Sequence, residues 1–217
     1  MRAKGFGNLL RSAGCEAVVM GGSAGGFKAF ALILESLPPD FKIPILLVQH
    51  LHRDDDGTFA GHLASSSKLP VIEPCDKEQI AAGHVYVAPA GYHMLVEQDG
   101  TIALSTEEKV NWSRPSIDVL FESAARIWGE RVMAVIFSGA SNDGAAGIQS
   151  VKAAGGLTIA QNPDCAEYPF MPRSAIDSGA VDEVLTIEEI IARIVGLRQT
   201  NPRRQTKKLF RECGYDH

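Results

Sequence analysis

Ala17-Val-Val-Met-Gly-Gly-Ser-Ala-Gly-Gly26 passes in ten residues from a short apolar run to a glycine-rich turn. The apolar part has the length and β-branched content of a buried strand, and the glycines permit a tight turn that a Cβ would obstruct. Apolar residues at helical spacing follow over 27–37. A second apolar run, Ile45-Leu-Leu-Val48, then completes a βαβ unit.

The alternation returns later in the chain. The spacing predicts a helix over 116–128, a strand over 132–137, a helix over 144–154 and a strand over 157–160. A turn and strand follow at 179–184. An amphipathic closing helix follows at 187–197, with Ile187, Ile190, Ile191, Ile194 and Val195 on one face. Between the two halves, 85–88, 94–97 and 101–104 read as short strands, with Gln98-Asp99-Gly100 as a hairpin signal. The expected fold is α/β: a doubly wound, mostly parallel sheet with helices on both faces and a small antiparallel edge.

Composition agrees with one compact domain. The chain has 217 residues, 45% hydrophobic and 22% charged, which excludes a mainly disordered or fibrous protein. No apolar run approaches the roughly 20 residues of a membrane-spanning helix, so no membrane insertion is expected. The N-terminus lacks a continuous apolar segment and a cleavage site, which makes a cytoplasmic location the default. Cys15, Cys75, Cys165 and Cys213 form no C-x-x-C pair, and no histidines cluster beside them, so no zinc site is expected. A net charge of −5 argues against nucleic acid as a partner. The positive charge gathers in a basic C-terminal tail, 198–217. Residues 17–197 are expected to be the catalytic domain and 1–16 an N-terminal extension.

Ligands of such sheets bind outside the carboxyl ends of the strands. After the first strand, Gly21, Ser23 and Gly25 fit G-x-S-x-G in the strand–turn–helix setting of a nucleophile elbow. A dinucleotide fingerprint needs glycine where Ser23 stands, and the phosphate-loop lysine is absent. Ser23 also fits a plain helix N-cap. The second strand ends at Gln49-His50-Leu51-His52, an imidazole where a dinucleotide site would carry a ribose-binding acid. His50 lies nearer the strand, and His52 leads into a charged loop. A neighbouring imidazole is what a serine hydroxyl needs to become a nucleophile near neutral pH. After the strand at 132–137 comes Ser138-Gly-Ala-Ser-Asn-Asp143-Gly144, where Asp143 either caps the next helix or orients an imidazolium. Together Ser23, His50 and Asp143 make a Ser-His-Asp triad the economical reading. Their chain order differs from the Ser, Asp, His order of α/β-hydrolases.

The segments GGSAGG at 21–26, QH at 49–50, GHVYVAP at 83–89, RPSIDVLF at 114–121, NDGAAG at 142–147, IAQN at 159–162 and MPR at 171–173 resemble the catalytic domain of CheB-type chemotaxis protein-glutamate methylesterases. The resemblance runs from about Ala17 to Val195. It implies hydrolysis of glutamate γ-methyl esters on methyl-accepting chemotaxis receptors, with release of methanol, and deamidation of receptor glutamines in related enzymes. It places the nucleophile on Ser23, the base on His50 and the aspartate on Asp143, a mechanism that needs no metal or organic cofactor. Backbone N–H groups of Ala24 and Ala140 are the oxyanion candidates, Met171 and Arg173 are candidates for the substrate path, and Arg114 and Asp118 are expected to anchor a helix. The sequence departs from the family where Thr commonly stands at Ala24, Met-Gly at Ala140-Ser141, and Pro at His52. About 16 residues precede the first strand, too few for the family's receiver domain. Regulation is therefore expected to be absent or to come from a separate regulatory protein. Other functions consistent with the residues are a serine hydrolase acting on another ester or amide, and a catalytically silent receptor-binding module.

Overall fold

The computed structural model describes residues 14–52 and 54–197. Residues 1–13 of the expected extension, and the basic tail, lie outside them. The elements in chain order are β1 (Ala17–Gly22), α1 (Gly26–Ser36), β2 (Ile45–Gln49), α2 (Thr58–Ser66), β3 (Val71–Ile72), β4 (Val85–Val87), β5 (His93–Val96), β6 (Ile102–Ser105), α3 (Ile117–Trp128), β7 (Val132–Ile136), α4 (Ala145–Ala153), β8 (Leu157–Gln161), α5 (Phe170–Asp177), β9 (Glu183–Leu185) and α6 (Ile187–Val195).

Seven strands form one parallel sheet in the order β3-β4-β2-β1-β7-β8-β9. Its central strands are buried throughout, and apolar but for Gln49 at the end of β2, because both faces are covered, as a parallel sheet requires. Alternation sorts their side chains. Val18, Met20, Ile45, Leu47, Met133 and Val135 pack under α1, α2 and α6. Val19, Leu46, Val48, Ala134 and Ile136 pack under α3, α4, α5 and the hairpin. The chain leaves β1 toward β2 on one side and returns through β7 on the other. Right-handed crossovers in opposite lateral directions put α1 and α4 on opposite faces. A crevice therefore opens at the carboxyl end of β1, where the strand order reverses.

β5 and β6 pair antiparallel as a separate two-stranded sheet, with Met94 opposite Leu104. The run beginning at Val85, grouped with them from the sequence, instead joins the main sheet, parallel to β2 and β3. The hairpin signal at 98–100 belongs to β5 and β6 alone. Two helices carried no readable signal. In α2 only Phe59, Ala60 and Leu63 are buried, and Phe59 meets Phe27 of α1 edge-on at 5.7 Å. In α5 a proline in the first turn, Pro172, breaks the sequence pattern while remaining compatible with a helix there.

Cys15, Cys75 and Cys165 are free thiols. Burial pushes the Cys15 thiol up to about 12, which keeps it protonated and inert.

The approach of α3 to β1 depends on Gly21. A Cβ there would lie 2.4 Å from Ile117 Cγ2. We expect Gly21→Ala to destabilise the protein by about 1–3 kcal/mol through overpacking, read in thermal melts, with partial recovery when Ile117 is shortened to valine. Additive effects of the two substitutions would contradict the contact as the cause.

Candidate active site

The site assembles at the carboxyl edge of β1, β2 and β7. Gly22 is in register with Gln49, so the residues after them, Ser23 and His50, leave the sheet side by side. Backbone bonds continue the pairing beyond the strands: His50 N–H donates to Gly22 O at 3.1 Å and Ser23 N–H to Ser138 O at 2.9 Å. Buried Gln49 ties the two neighbours together, its Nε2 donating to Ser23 O at 2.9 Å and His50 O at 3.3 Å. On the other side, Ser138 N–H donates to Gln161 Oε1, and Ser138 Oγ donates to Ala24 O at 2.8 Å. Strand-end amides and hydroxyls thus fix the turns that carry the reactive side chains.

His50 Nε2 lies 2.8 Å from Oδ2 of Asp143, whose side chain is fully buried. An ionised carboxylate only accepts, so Nε2 carries a proton, and in the neutral imidazole Nδ1 then keeps its lone pair. That lone pair is what a general base uses. Nδ1 contacts Ser113 Oγ at 3.5 Å. His52 is exposed and pairs with Asp54, so the imidazole beside Asp143 is the half-buried His50.

Asp143 does cap a helix, but not the one that follows it. Its Oδ2 accepts from Ile117 N–H at 2.7 Å and its Oδ1 from Asp118 N–H at 3.2 Å, both in the first turn of α3. Ser116 Oγ and Asn111 Nδ2 also donate to Oδ1, at 2.8 Å and 3.1 Å. The start of α4, with Gly144 as its N-cap, is held instead by Asp118 Oδ1, which accepts from Gly144 N–H at 2.9 Å and Gly147 N–H at 2.7 Å. Each carboxylate caps the helix that the other precedes or begins. Two helix N-termini, with their positive partial charge, therefore face this pair.

The two acids differ in their surroundings. Burial alone would raise Asp143, but donation from His50, Ile117 N–H and Asn111 outweighs it and holds the carboxyl below its ordinary value. Asp118 is pushed up to about 6, first by burial and then by the charge of Asp143, against the N–H groups of Gly147 and Gly144. The linkage signs are opposite. Between the ordinary value of 3.8 and about 6, Asp118 ionises in the unfolded chain before it does in the native one, so it subtracts stability as pH rises. Asp143 contributes stability that is lost as pH falls through its depressed native value. In denaturant titrations at a series of pH values, we expect Asp118→Asn to remove the decline between about pH 4 and pH 6. An unchanged slope in that window would contradict the assignment.

Ser23 does not cap α1. The N-cap is Gly25, at φ 77°, with no side-chain cap bond. Half-buried Ser23 sits against Gly139, where a Cβ would lie 3.0 Å from Ser23 Cβ and 2.6 Å from Met171 Cε. Gly139 thus lets the serine turn and buried Met171 approach each other. Among the described residues Ser23 Oγ makes no hydrogen bond, and none joins it to His50. The structure brings His50 and Asp143 into contact and leaves the serine beside them unpaired. Ala24 and Ala140 are exposed, on turns flanking Ser23, and among the described residues their N–H groups have no partner. Arg173 is exposed, and Arg114 anchors its segment through Thr106 O and Glu107 O.

Asn111, Ser113 and Ser116 escaped the sequence reading. They lie between the hairpin and α3, and only Ser116, just ahead of an amphipathic helix, carried a local signal, that of an N-cap. Its side chain serves Asp143 instead. Among the described residues no group of three or more His, Cys, Asp or Glu side chains is placed to hold a metal ion, and no helix is long and apolar enough to cross a membrane.

Comparison with known proteins gives one consistent result. The family model described as CheB methylesterase matches residues 18–194. A protein of Leptospira interrogans serovar copenhageni, provisionally named protein-glutamate methylesterase/protein-glutamine glutaminase, is 46% identical over 186 residues, covering 86% of this chain and 96% of its own. Protein-glutamate methylesterase/protein-glutamine glutaminase 2 of Anaeromyxobacter dehalogenans is 43% identical over 180 residues, 83% of this chain and 52% of that protein. The chain therefore spans about half the length of that relative. The crystal structure of the Thermotoga maritima CheB methylesterase catalytic domain superposes with a TM-score of 0.80 at 34% identity, covering 83% of this chain and 97% of the other.

Proposed function

The chain belongs to the CheB methylesterase family, and from that membership we propose that it hydrolyses glutamate γ-methyl esters on methyl-accepting chemotaxis receptors, in the cytoplasm, through Ser23, His50 and Asp143. The observation that carries the reading is the 2.8 Å contact of His50 Nε2 with buried Asp143, on the strand next to the serine turn.

In this mechanism Nδ1 of His50 takes the proton of Ser23 Oγ as the oxygen bonds to the ester carbonyl carbon. Negative charge on the carbonyl oxygen is met by the N–H groups of Ala24 and Ala140 and by the N-terminus of α1. The C–O bond to the methyl group's oxygen then breaks, and that oxygen leaves as methanol with the proton from His50. Water repeats the sequence on the acyl-enzyme: His50 accepts its proton, its oxygen bonds to the carbonyl carbon, and Ser23 leaves protonated. Asp143 stays ionised throughout, holding the imidazole and stabilising its positive charge. A glutamine side chain would follow the same course with ammonia as the leaving group, the second activity in the relatives' names.

The test is incubation with a chemoreceptor bearing radiolabelled methyl esters, with volatile methanol counted against a small-ester control. Methanol from the receptor in preference to the small ester is the expected result. Turnover of small esters alone would point to another ester or amide substrate. Receptor binding without any turnover would leave a silent binding module.

A further inference from the structure

Two carboxylates almost wholly out of water, Asp143 and Asp118, share one neutral side chain. Asn111 Nδ2 donates to Asp118 Oδ2 at 2.7 Å and to Asp143 Oδ1 at 3.1 Å. We propose that Asn111 is a positioning residue for the reaction, its amide clamped between these two carboxylates so that the aspartate orienting His50 keeps its place and its charge. The proposal rests on the functional reading above.

The residue type is selected twice. Two buried carboxylates repel, and a single nitrogen with two N–H groups offers one bond to each without adding a charge. The backbone makes a second demand. Val110 and Ser113 exchange both backbone hydrogen bonds, at 3.2 Å and 2.9 Å, around Asn111 at φ 48° and Trp112 at φ 64°. Positive φ at both central positions of a two-residue turn favours Asn or Gly at the first. Glutamine satisfies the first demand with a longer reach and tolerates the second less readily, and glycine satisfies only the second.

The turn is also strained on behalf of this clamp. Trp112 holds a left-handed conformation uncommon for a bulky side chain and is 93% exposed, so its own packing does not secure it. The turn is tied through its neighbours: Asn111 to the carboxylate pair, and Ser113 Oγ to Nδ1 of His50. The charged or titratable groups facing Asp143 are His50, after β2, and Asp118, from α3. Its other partners, Ser116 Oγ and the N–H groups of Ile117 and Asp118, are neutral. Donation from Asn111 favours the ionised form of both acids: it adds to His50 and Ile117 N–H in holding Asp143 down, and in Asp118 it opposes the burial and the charge of Asp143 that push that carboxyl up.

Asn111→Gly removes the amide and keeps the turn. In protein labelled with 13C at aspartate carboxyls and free of substrate, the Asp143 titration is expected to move to higher pH. In the methanol assay kcat is expected to fall roughly tenfold with KM nearly unchanged. Asn111→Asp, which puts a third acceptor between the two acids, is expected to lose roughly another tenfold. An Asp143 titration that does not move in Asn111→Gly overturns the proposal, as does a moved titration with kcat unchanged, or a loss confined to KM. Should Asn111→Gly unfold, an Asn111→Asp variant that folds and turns over like the wild type overturns it equally. The titration needs no substrate, so failure of the wild type to release methanol would strike the proposed function while leaving the carboxylate coupling measured.

Discussion

Ser23→Ala is expected to lower methanol release by roughly four orders of magnitude or more while leaving the fold intact. The side chain is half-buried, makes no hydrogen bond among the described residues, and does not cap α1. Removing its oxygen therefore breaks no structural bond, and thermal midpoints of variant and wild type should agree closely. What disappears is the covalent route. His50 and Asp143 remain paired, and the N–H groups of Ala24 and Ala140 remain in place, so only residual polarisation of the ester survives. Single-turnover counting of labelled methanol provides the check. Activity within tenfold of the wild type would remove Ser23 from the nucleophile's role and direct attention to Ser113, the hydroxyl that contacts Nδ1 of His50.

Asp143→Asn should cost roughly three to four orders of magnitude in kcat, for a different reason. All five of its partners are donors: His50 Nε2, Ser116 Oγ, Asn111 Nδ2, and the N–H groups of Ile117 and Asp118. An amide turns one of the two acceptor oxygens into a donor. If the NH2 faces His50, the ring must reverse its tautomer and Nδ1 loses the lone pair that the mechanism uses. Either way a donor in this buried site meets a donor, so this variant, unlike Ser23→Ala, should also be less stable, by about 1–3 kcal/mol. The combination is diagnostic: a large fall in kcat accompanied by a lower melting midpoint. A variant of full activity would show that His50 works without the carboxylate.

The general rule that chemistry gathers at the carboxyl ends of parallel strands places Ser23, His50 and Asp143 at one edge of the sheet from the sequence alone, and the three residues follow β1, β2 and β7 at that edge. It works because that rule depends only on locating strands, and β1, β2 and β7 each carry a run of four or more apolar residues. The supporting residues are another matter. Asn111, Ser113 and Ser116 lie on the connection from β6 to α3, brought to Asp143 and His50 by tertiary packing that no local pattern encodes. Capping shows the same limit. An aspartate ahead of a helix predicts a cap for that helix, yet Asp143 and Asp118 exchange helices, because packing sets the two N-termini side by side. Likewise the run from Val85 reads as part of the antiparallel edge from its nearness in sequence to β5, while pairing on both sides assigns it to the main sheet.

The exchanged caps also have a kinetic meaning. Neither helix start keeps its hydrogen-bond acceptor once the other moves, so the amides of Ile117, Asp118, Gly144 and Gly147 should exchange with deuterium as a single opening unit rather than fray separately. That opening also removes the carboxylate from the imidazole. A chain in which α3 or α4 has yet to dock is thereby a chain in which Asp143 is not held against His50.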